Sequence, residues 1–164
     1  MKRTAAFILT LCTLLFCSCA RTETSVEEVL AALVDAEIGL PAGQIYHAFA
    51  PKESEAYLSP DLMAALYGEG EPPWQLPLVE DYGIFLSTAQ HPCEFAVFRT
   101  YAHSDTDDVA AMCCARLDAL RIHYKDTQYA AYVQEARVIV IGKYVLLLIS
   151  SDPAHALRAA QRFL

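Results

Sequence analysis

The most regular hydrophobic pattern in the sequence consists of two short apolar runs separated by Gly142-Lys143. The runs, Ala136 to Ile141 and Tyr144 to Ser150, are rich in Val, Ile and Leu, which is typical of strands. A two-residue loop with Gly at its first position favours a type II′ hairpin. Because both strands are apolar on both faces, the pattern predicts a sheet that is covered by other elements on each side.

Apolar residues elsewhere in the chain follow either strand or helix spacing. Strand-like composition marks Tyr82 to Ser87 and Glu94 to Tyr101, and more weakly Ile45 to Phe49. Gly39 and Gly68 are predicted to end the first two helices. Helical spacing is predicted after typical N-terminal caps at four places: Ser25, which opens a capping box with Glu28, then Ser59, then either Thr106 or Asp105, and finally Asp152.

This order of elements predicts an α+β fold in a single domain, residues 25–164. An N-terminal helix comes first, and the core then runs strand, strand, helix, strand, strand, helix. We expect a mainly antiparallel sheet of about four strands with helices packed on it. The chain is long enough for one domain with a proper hydrophobic core.

The first eighteen residues have the pattern of a secretory signal. Lys2 and Arg3 precede Ala5 to Phe16, a run that is almost wholly apolar. A helix of that length rises only about 18 Å, which is short of the roughly 30 Å hydrocarbon core of a bilayer. We therefore predict a signal peptide over residues 1–18. The alternative is a buried core helix.

The residues at the end of this run resemble the lipobox of bacterial lipoproteins, in which an aliphatic residue and two small residues precede an acylated cysteine. Cys19 fits as Phe16-Cys17-Ser18-Cys19, although Phe16 is bulkier than the usual leucine. Cys17 fits poorly, because Phe16 would then stand where a small residue is needed. We therefore predict that Cys19 is lipidated. The alternative is cleavage after Ala20 and a soluble secreted protein.

A lipid on Cys19 would be the membrane anchor. Each buried methylene contributes about 0.8 kcal/mol, and stable anchoring needs more than one acyl chain, which a diacylglyceryl cysteine supplies. Residues 19–24 would form a lipidated tether that spans at most roughly 17 Å between Cys19 and the domain. The predicted location is the extracytoplasmic face of the cell membrane.

The chain is acidic, with 20 Asp and Glu residues, 12 Lys and Arg residues and a formal net charge of −8 at pH 7. Loss of Lys2 and Arg3 with the signal would make it more negative. An acidic domain repels phosphate backbones and anionic headgroups. We expect no nucleic-acid partner and no basic face that docks on a membrane.

Three cysteines follow Cys19, namely Cys93, Cys113 and Cys114. An exported protein meets oxidants, so a disulfide from Cys93 to either of the others is possible. Neighbouring cysteines on a helix point about 100° apart and do not easily pair with each other. The alternative is that all three are small buried apolar residues. Cys113 lies on the apolar stripe of the long predicted helix, which favours its burial.

The segment His91-Pro92-Cys93-Glu94 is a candidate for chemistry. An imidazole can stabilise the thiolate of a nearby cysteine, which is the basic unit of a cysteine nucleophile. A His and a Cys two residues apart could also share a zinc ion, but no further ligand is adjacent in sequence. Pro92, just before a strand, favours a purely structural turn instead. We predict no metal and no other cofactor.

Trp74 is a second candidate, because it lies in a loop, Glu69 to Pro77, that is rich in Gly, Pro and acidic residues. An aromatic side chain in such a loop can anchor a binding partner. The alternative is that it folds back onto the core. The sequence carries no Gly-rich phosphate loop, no Cys-x-x-Cys pair, no nucleophile elbow and no His-Glu-x-x-His motif.

Three segments carry a resemblance to a known family: "LYG" at Leu66 to Gly68, "CEFAVFRTY" at Cys93 to Tyr101, and "ARVIVIGKYVLLLISSD" at Ala136 to Asp152. With the long helix between the last two, they are similar to bacterial lipoproteins, mostly Gram-positive, described as domain of unknown function 4358. The resemblance covers roughly residues 60 to 160. It implies a lipobox, a short tether, this fold and a membrane location, but no known activity and no functional residues.

Two function classes follow from these observations. The first is a non-enzymatic, lipid-anchored module of the bacterial cell envelope that binds a partner protein or an envelope ligand. The second is a thiol-dependent envelope enzyme or redox protein that uses Cys93 with His91. The reactivity of Cys93 in the folded protein distinguishes the two classes.

Overall fold

One antiparallel sheet organises the fold. The computed structural model describes residues 23–68, 75–88 and 91–164. The signal peptide, Cys19 and Trp74 therefore lie outside the described residues. The described elements are α1 (Val26–Ala36), β1 (Gly43–His47), α2 (Pro60–Tyr67), β2 (Val79–Ser87), β3 (Glu94–Thr100), α3 (Thr106–Tyr124), α4 (Ala130–Glu135), β4 (Arg137–Ile141), β5 (Tyr144–Ile149) and α5 (Pro153–Ala160), with short 3₁₀ turns at Leu76–Leu78 and His103–Asp105.

The strands lie in the order β1-β2-β3-β5-β4, and every neighbouring pair is antiparallel. The predicted α+β fold is confirmed. The segment with the weakest strand signal becomes β1, which begins at Gly43 and pairs with β2, so the sheet has five strands rather than about four. The predicted hairpin is β4–β5, and Gly142 in its turn has a φ of +58°, as the first position of the predicted turn requires.

The helix caps read from the sequence explain where the helices begin. Ser25 and Glu28 form the predicted capping box at the start of α1, and Ser59 caps α2, whose first residue is Pro60. Asp152 accepts a hydrogen bond from the backbone N–H of His155 at the start of α5. The long helix differs: the carboxylate of Asp105 accepts from the backbone N–H of Ala102, in the preceding turn, instead of capping α3.

Both faces of the sheet are covered, and β5 is buried at every position, as predicted. The prediction was wrong for β4, which lies at the sheet edge, has no buried residue and leaves Val140 39% exposed. Helices α2 and α3 pack on one face, and helices α1 and α5 pack on the other. Residues of β2, β3 and β5 alternate between the two cores because successive strand side chains point to opposite faces. The first face buries Ile84, Ala96, Phe98, Val145, Leu147 and Ile149, and the second buries Phe85, Phe95, Val97, Leu146 and Leu148.

Helix α4 is the one described α-helix that the sequence pattern did not predict. It has six residues, and its cap residue, Tyr129, makes no side-chain capping bond. Such a segment is too short to show helical periodicity and lacks the Ser, Thr, Asp or Asn cap that marks other helix starts. Its position is set by tertiary packing, since Val133 is fully buried in the core beside α3.

The two ends of the domain differ in their relation to the N-terminal tether. At one end, the Tyr144 hydroxyl donates a hydrogen bond to the Thr24 carbonyl, the Thr24 hydroxyl donates to the Phe163 carbonyl, and Lys143 lies 3.5 Å from Glu23. We call this end, formed by Glu23, Thr24, Lys143, Tyr144 and Phe163, the tether pole.

The opposite end, which we call the far pole, contains the C-terminal end of α1 and the start of β3. Glu94 pairs with Ile149 at this end of β3 and β5, whereas Arg99 pairs with Tyr144 at the tether pole. At a rise of about 3.4 Å per residue, the two ends of β5 lie roughly 17 Å apart.

Among the described helices, none combines the length and the apolar composition that crossing a bilayer requires.

Substituting Gly142 tests the turn of the β4–β5 hairpin. No atom outside its immediate neighbours lies within 4 Å of a Cβ built at this position, so any cost of a side chain comes from the positive φ alone. We expect Gly142→Val to lower the free energy of unfolding by about 1–3 kcal/mol. Gly142→Asn is the control, because Asn tolerates positive φ better than β-branched residues do. Equal urea midpoints for the two variants would contradict this assignment of the turn.

Candidate functional site

A buried carboxylate forms the centre of a hydrogen-bonded polar cluster in the described structure. Glu94, the first residue of β3, is only 2% exposed and points toward the core under α2 and α3. Its Oε1 accepts a hydrogen bond of 2.6 Å from the Tyr67 hydroxyl. Its Oε2 accepts from Arg116, at 3.1 Å from Nε and 2.8 Å from Nη2. The carboxylate is thus charge-paired and hydrogen-bonded on both oxygens, as a buried charge requires.

Burial and the charge of Glu94 shift the ionisation of its neighbours. Burial raises the pKa of Tyr67 well above its ordinary value, and the adjacent carboxylate raises it further. Burial is the largest single cause and would lower the pKa of Arg116, but the charge and hydrogen bonding of Glu94, together with Tyr67 and Tyr124, raise it by more, and the net shift is upward. Arg116 therefore stays a cation and Tyr67 a neutral hydrogen-bond donor. Burial also raises the pKa of the Cys113 thiol well above its ordinary value, with Glu94 contributing in the same direction.

A small cavity of about 150 Å³ opens beside this cluster at the far pole. It lies between the ends of α2, β2 and α3 and the start of β3. The Glu94–Arg116 ion pair forms part of its lining, so the buried charges meet a space that a small molecule could enter. Apolar and polar side chains both line it, among them Leu66, Leu86, Leu120, Tyr124, His91 and Cys93.

The structure places His91 and Cys93 at this same cavity, but it does not arrange them as an activated thiol. The Nδ1 atom of His91 accepts a hydrogen bond of 3.1 Å from the backbone N–H of Cys93 rather than from the thiol. The imidazole ring packs edge-on against Tyr129 and Tyr132, with ring centroids 4.7 Å and 5.1 Å away. Burial lowers the pKa of His91, and the neighbouring Glu37 opposes this shift only in part.

The thiol of Cys93 is buried and unfavourably placed for ionisation. Its residue is 1% exposed and belongs to the core under α1 and α5. Burial, followed by the charge of Glu37, raises its pKa to about 12, although the neighbouring Tyr132 side chain opposes the shift. Because the thiolate is the nucleophilic form, this environment lowers the reactivity of Cys93 at neutral pH.

A second buried carboxylate connects three elements at the far pole. Glu37 follows α1, is 9% exposed, and accepts hydrogen bonds from the Tyr132 hydroxyl at 3.0 Å and from the backbone N–H of Ser151 at 2.9 Å. It therefore ties the end of α1 to α4 and to the turn that precedes α5. Burial, Cys93 and Glu37 all raise the pKa of Tyr132, which remains a donor.

Cys93, Cys113 and Cys114 are all free thiols, so the possible disulfide is not formed. Cys93 and Cys113 belong to the cores on opposite faces of the sheet, which explains why they do not pair. Cys113 is fully buried, as its position on the α3 stripe predicted, whereas Cys114 is exposed.

Sequence reasoning named Glu94 only as a neighbour of Cys93 and did not identify Arg116, Tyr67 or Glu37. One signal for Arg116 is present in the sequence. It stands at a helical step from Cys113 and Leu120, inside the apolar stripe of α3, where a charged residue needs a buried partner.

Two larger surface grooves lie away from this cluster. One, of about 430 Å³, runs between α1 and α5 and is lined by Asp35, Arg158 and Arg162 among others. The other, of about 350 Å³, lies beside the exposed Phe49. In the described ranges, no three His, Cys, Asp or Glu side chains are grouped so that they could hold a metal ion.

Alkylation of the native protein tests the state of the thiols. We expect iodoacetamide at neutral pH to modify the exposed Cys114 first, while Cys93 and Cys113 react only after denaturation. The raised pKa of Cys93 also predicts that its alkylation stays slow up to about pH 9, because the thiolate fraction grows only near pH 12. Mass spectrometry of the peptides measures each site. Faster modification of Cys93 than of Cys114 in the folded protein would support the thiol-enzyme hypothesis instead.

The chain matches no protein-family model, no curated protein and no solved structure. Its similarity to the lipoproteins of domain of unknown function 4358 therefore stays a prediction.

Proposed function

We propose that this protein is a lipid-anchored, non-enzymatic binding module on the extracytoplasmic face of a bacterial cell membrane. The observation that carries the proposal is the sequence Phe16-Cys17-Ser18-Cys19, a lipobox at the end of a signal-like apolar run. The membership in domain of unknown function 4358 is part of the same proposal. The acidic charge of the chain supports a partner that is neither a nucleic acid nor an anionic lipid surface.

The geometry of the tether pole supports an orientation for the anchored domain. Glu23 and Thr24 already contact the folded domain, through Lys143 and through Tyr144 and Phe163. The free tether between Cys19 and Glu23 would then span only about 14 Å when extended. This short link would hold the tether pole toward the membrane and direct the far pole, with its cavity, toward the envelope.

The chemistry of the far pole supports binding rather than catalysis. Both oxygens of Glu94 are engaged by Tyr67 and Arg116, and the Cys93 thiol is buried with a raised pKa. A nucleophile or a general base needs an ionisable atom that substrate can reach and that is not already hydrogen-bonded. Neither the Glu94 carboxylate nor the Cys93 thiol meets this requirement. A charge-paired cavity with hydrogen-bond donors and apolar walls instead has the composition of a small binding site.

Fractionation of cells that produce the protein tests the anchor. The intact protein is expected in the membrane fraction and is expected to be released by detergent. Cys19→Ala should abolish acylation and leave either uncleaved precursor or released protein, because no other lipid attachment site is predicted. Cys17→Ala is the matched control and should not change the distribution. An acylated Cys19→Ala variant, or loss of acylation in Cys17→Ala, would contradict the proposed anchor.

A further inference from the structure

Exposed aromatic side chains are concentrated at one end of the described domain. Phe49 is 80% exposed, Tyr101 60% and Phe163 41%, and no other Phe or Tyr side chain in the described ranges is as exposed as these three. Exposed aliphatic side chains are spread more widely, and two of them, Ile38 after α1 and Ile122 near the end of α3, lie toward the far pole. Single exposed apolar residues are ordinary, but a shared location of the aromatic ones indicates a surface with a partner.

Backbone contacts place two of these aromatic residues beside the tether. Tyr101 directly follows Thr100, whose N–H donates a hydrogen bond of 3.0 Å to the Lys143 carbonyl at the tether pole. The Phe163 carbonyl accepts a hydrogen bond from the hydroxyl of Thr24. Both residues therefore lie next to the point at which the tether joins the domain.

Phe49 lies at the same end of the domain, beyond the edge strand β1. The groove of about 350 Å³ beside it is also lined by Val26, the first residue of α1, which follows Thr24 by two residues. Phe49 follows β1 and Tyr101 follows β3, and β2 lies between these two strands. At a spacing of about 4.8 Å per strand, the two strand ends are roughly 10 Å apart. The aromatic side chains are thus distributed around the tether.

The charges at this end of the domain are mixed in sign. Glu27 and Asp81 line the groove beside Phe49, whereas Arg162 precedes Phe163. Such a mixture gives no strong attraction to anionic headgroups. Aromatic rings, by contrast, favour the layer between headgroups and hydrocarbon, where an apolar ring is partly shielded from water. Contact with a bilayer at this end would therefore depend on aromatic area and not on net charge.

We propose that this end of the domain docks on the bilayer that holds the lipid on Cys19. Phe49, Tyr101 and Phe163 then place their rings in the interfacial layer. The length of the link points to a bilayer as the occupant, because Cys19 precedes Glu23 by four residues and holds this end within about 14 Å of the membrane. At that distance the effective concentration of lipid is high, so weak contacts suffice. The inference rests on the proposed function and deepens it, since it names the surface that faces the membrane.

Fluorescence quenching in reconstituted vesicles tests this docking. Trp74→Phe removes the single Trp of the chain, and Phe49→Trp or Tyr101→Trp then introduces one indole at the proposed surface. Each full-length, detergent-extracted protein is reconstituted into phosphatidylcholine vesicles, with and without bromine on the acyl chains close to the headgroups. We expect bromine to lower the emission of both indoles about two-fold or more, because interfacial rings lie at that depth.

Ile38→Trp and Ile122→Trp in the same background are the matched controls. These side chains are 85% and 71% exposed but lie toward the far pole, so bromine should leave their emission unchanged. Equal quenching at the two ends, quenching at neither end, or quenching of only one indole at the proposed surface would overturn the inference. Flotation of the same vesicles scores the anchor separately. Flotation without selective quenching rejects the docking alone, whereas protein that does not float rejects both the anchor and the docking.

Discussion

Replacing Arg116 with leucine is expected to lower the free energy of unfolding by about 3–5 kcal/mol. The Arg116 guanidinium lies 2.8 Å from a carboxylate, that of Glu94, which is only 2% exposed. Removing the cation leaves that negative charge buried and held only by the Tyr67 hydroxyl. Urea unfolding of the detergent-extracted protein, followed by circular dichroism, measures the change. We expect a lower midpoint without a change in slope, because the folded state stays compact.

The double variant Glu94→Leu/Arg116→Leu separates charge from packing. Two apolar side chains leave no unpaired buried charge, so we expect the double variant to be more stable than Arg116→Leu alone. Asp118→Asn is the surface control, because its partner Arg121 is a third exposed and exposed ion pairs contribute about 0–1 kcal/mol. A single Arg116→Leu effect as small as that of Asp118→Asn would contradict the structural role assigned to the buried pair.

Phe98→Ala is expected to have a comparable cost, about 3–5 kcal/mol, for a different reason. Phe98 is completely buried on the sheet face under α2 and α3. Its ring packs edge-on against Tyr67, 5.5 Å away between centroids, and contacts Tyr82 at 6.2 Å. Truncation removes the apolar contacts and leaves a cavity beside the Glu94 cluster, which the rigid sheet cannot fill.

Phe49→Ala is the matched control for this prediction. It makes the same chemical change at a side chain that is 80% exposed, where we expect a change within about 0.5 kcal/mol. Both variants can be compared by urea unfolding under identical conditions. Similar losses for Phe98→Ala and Phe49→Ala would mean that β3 does not form the central core strand described.

The sequence predicted the elements whose signals are local. The capping box at Ser25, the Ser-Pro start of α2 and the Gly142 turn each depend on a few adjacent residues, and each is present in the structure. Double-sided coverage of the sheet was also predictable, because strands that are apolar at every position need two cores.

The sequence pattern predicted β1 only weakly and did not predict α4, because both elements depend on tertiary contacts. β1 has few apolar residues, and its pairing with β2 requires Gly43, where a Cβ would meet the ring of Phe85 at 2.4 Å. Strand propensity does not indicate such a close approach between two strands of the sheet. Helix α4 likewise forms because Val133 has a buried position to occupy, which no local pattern in six residues reveals.

The sequence predicted where the candidate site lies, but it did not predict how the side chains there are bonded. His91, Cys93 and Glu94 do line one cavity. Proximity in sequence suggested that the His91 imidazole would pair with the Cys93 thiol. In the structure, the imidazole instead accepts a hydrogen bond from the backbone N–H of Cys93. The partners of Glu94 come from 22 and 27 residues away, through α3 and α2, so only the packed fold brings them together.

Mass spectrometry of the N-terminal peptide from membrane-extracted protein tests the central claim most directly. The proposed anchor predicts a peptide that begins at Cys19 and carries the added mass of the acyl chains. The small side chain of Ser18 suits cleavage before Cys19, whereas Phe16 would obstruct cleavage before Cys17. A lipidated peptide that begins at Cys17, or an unmodified one that begins at Arg21, would contradict the account.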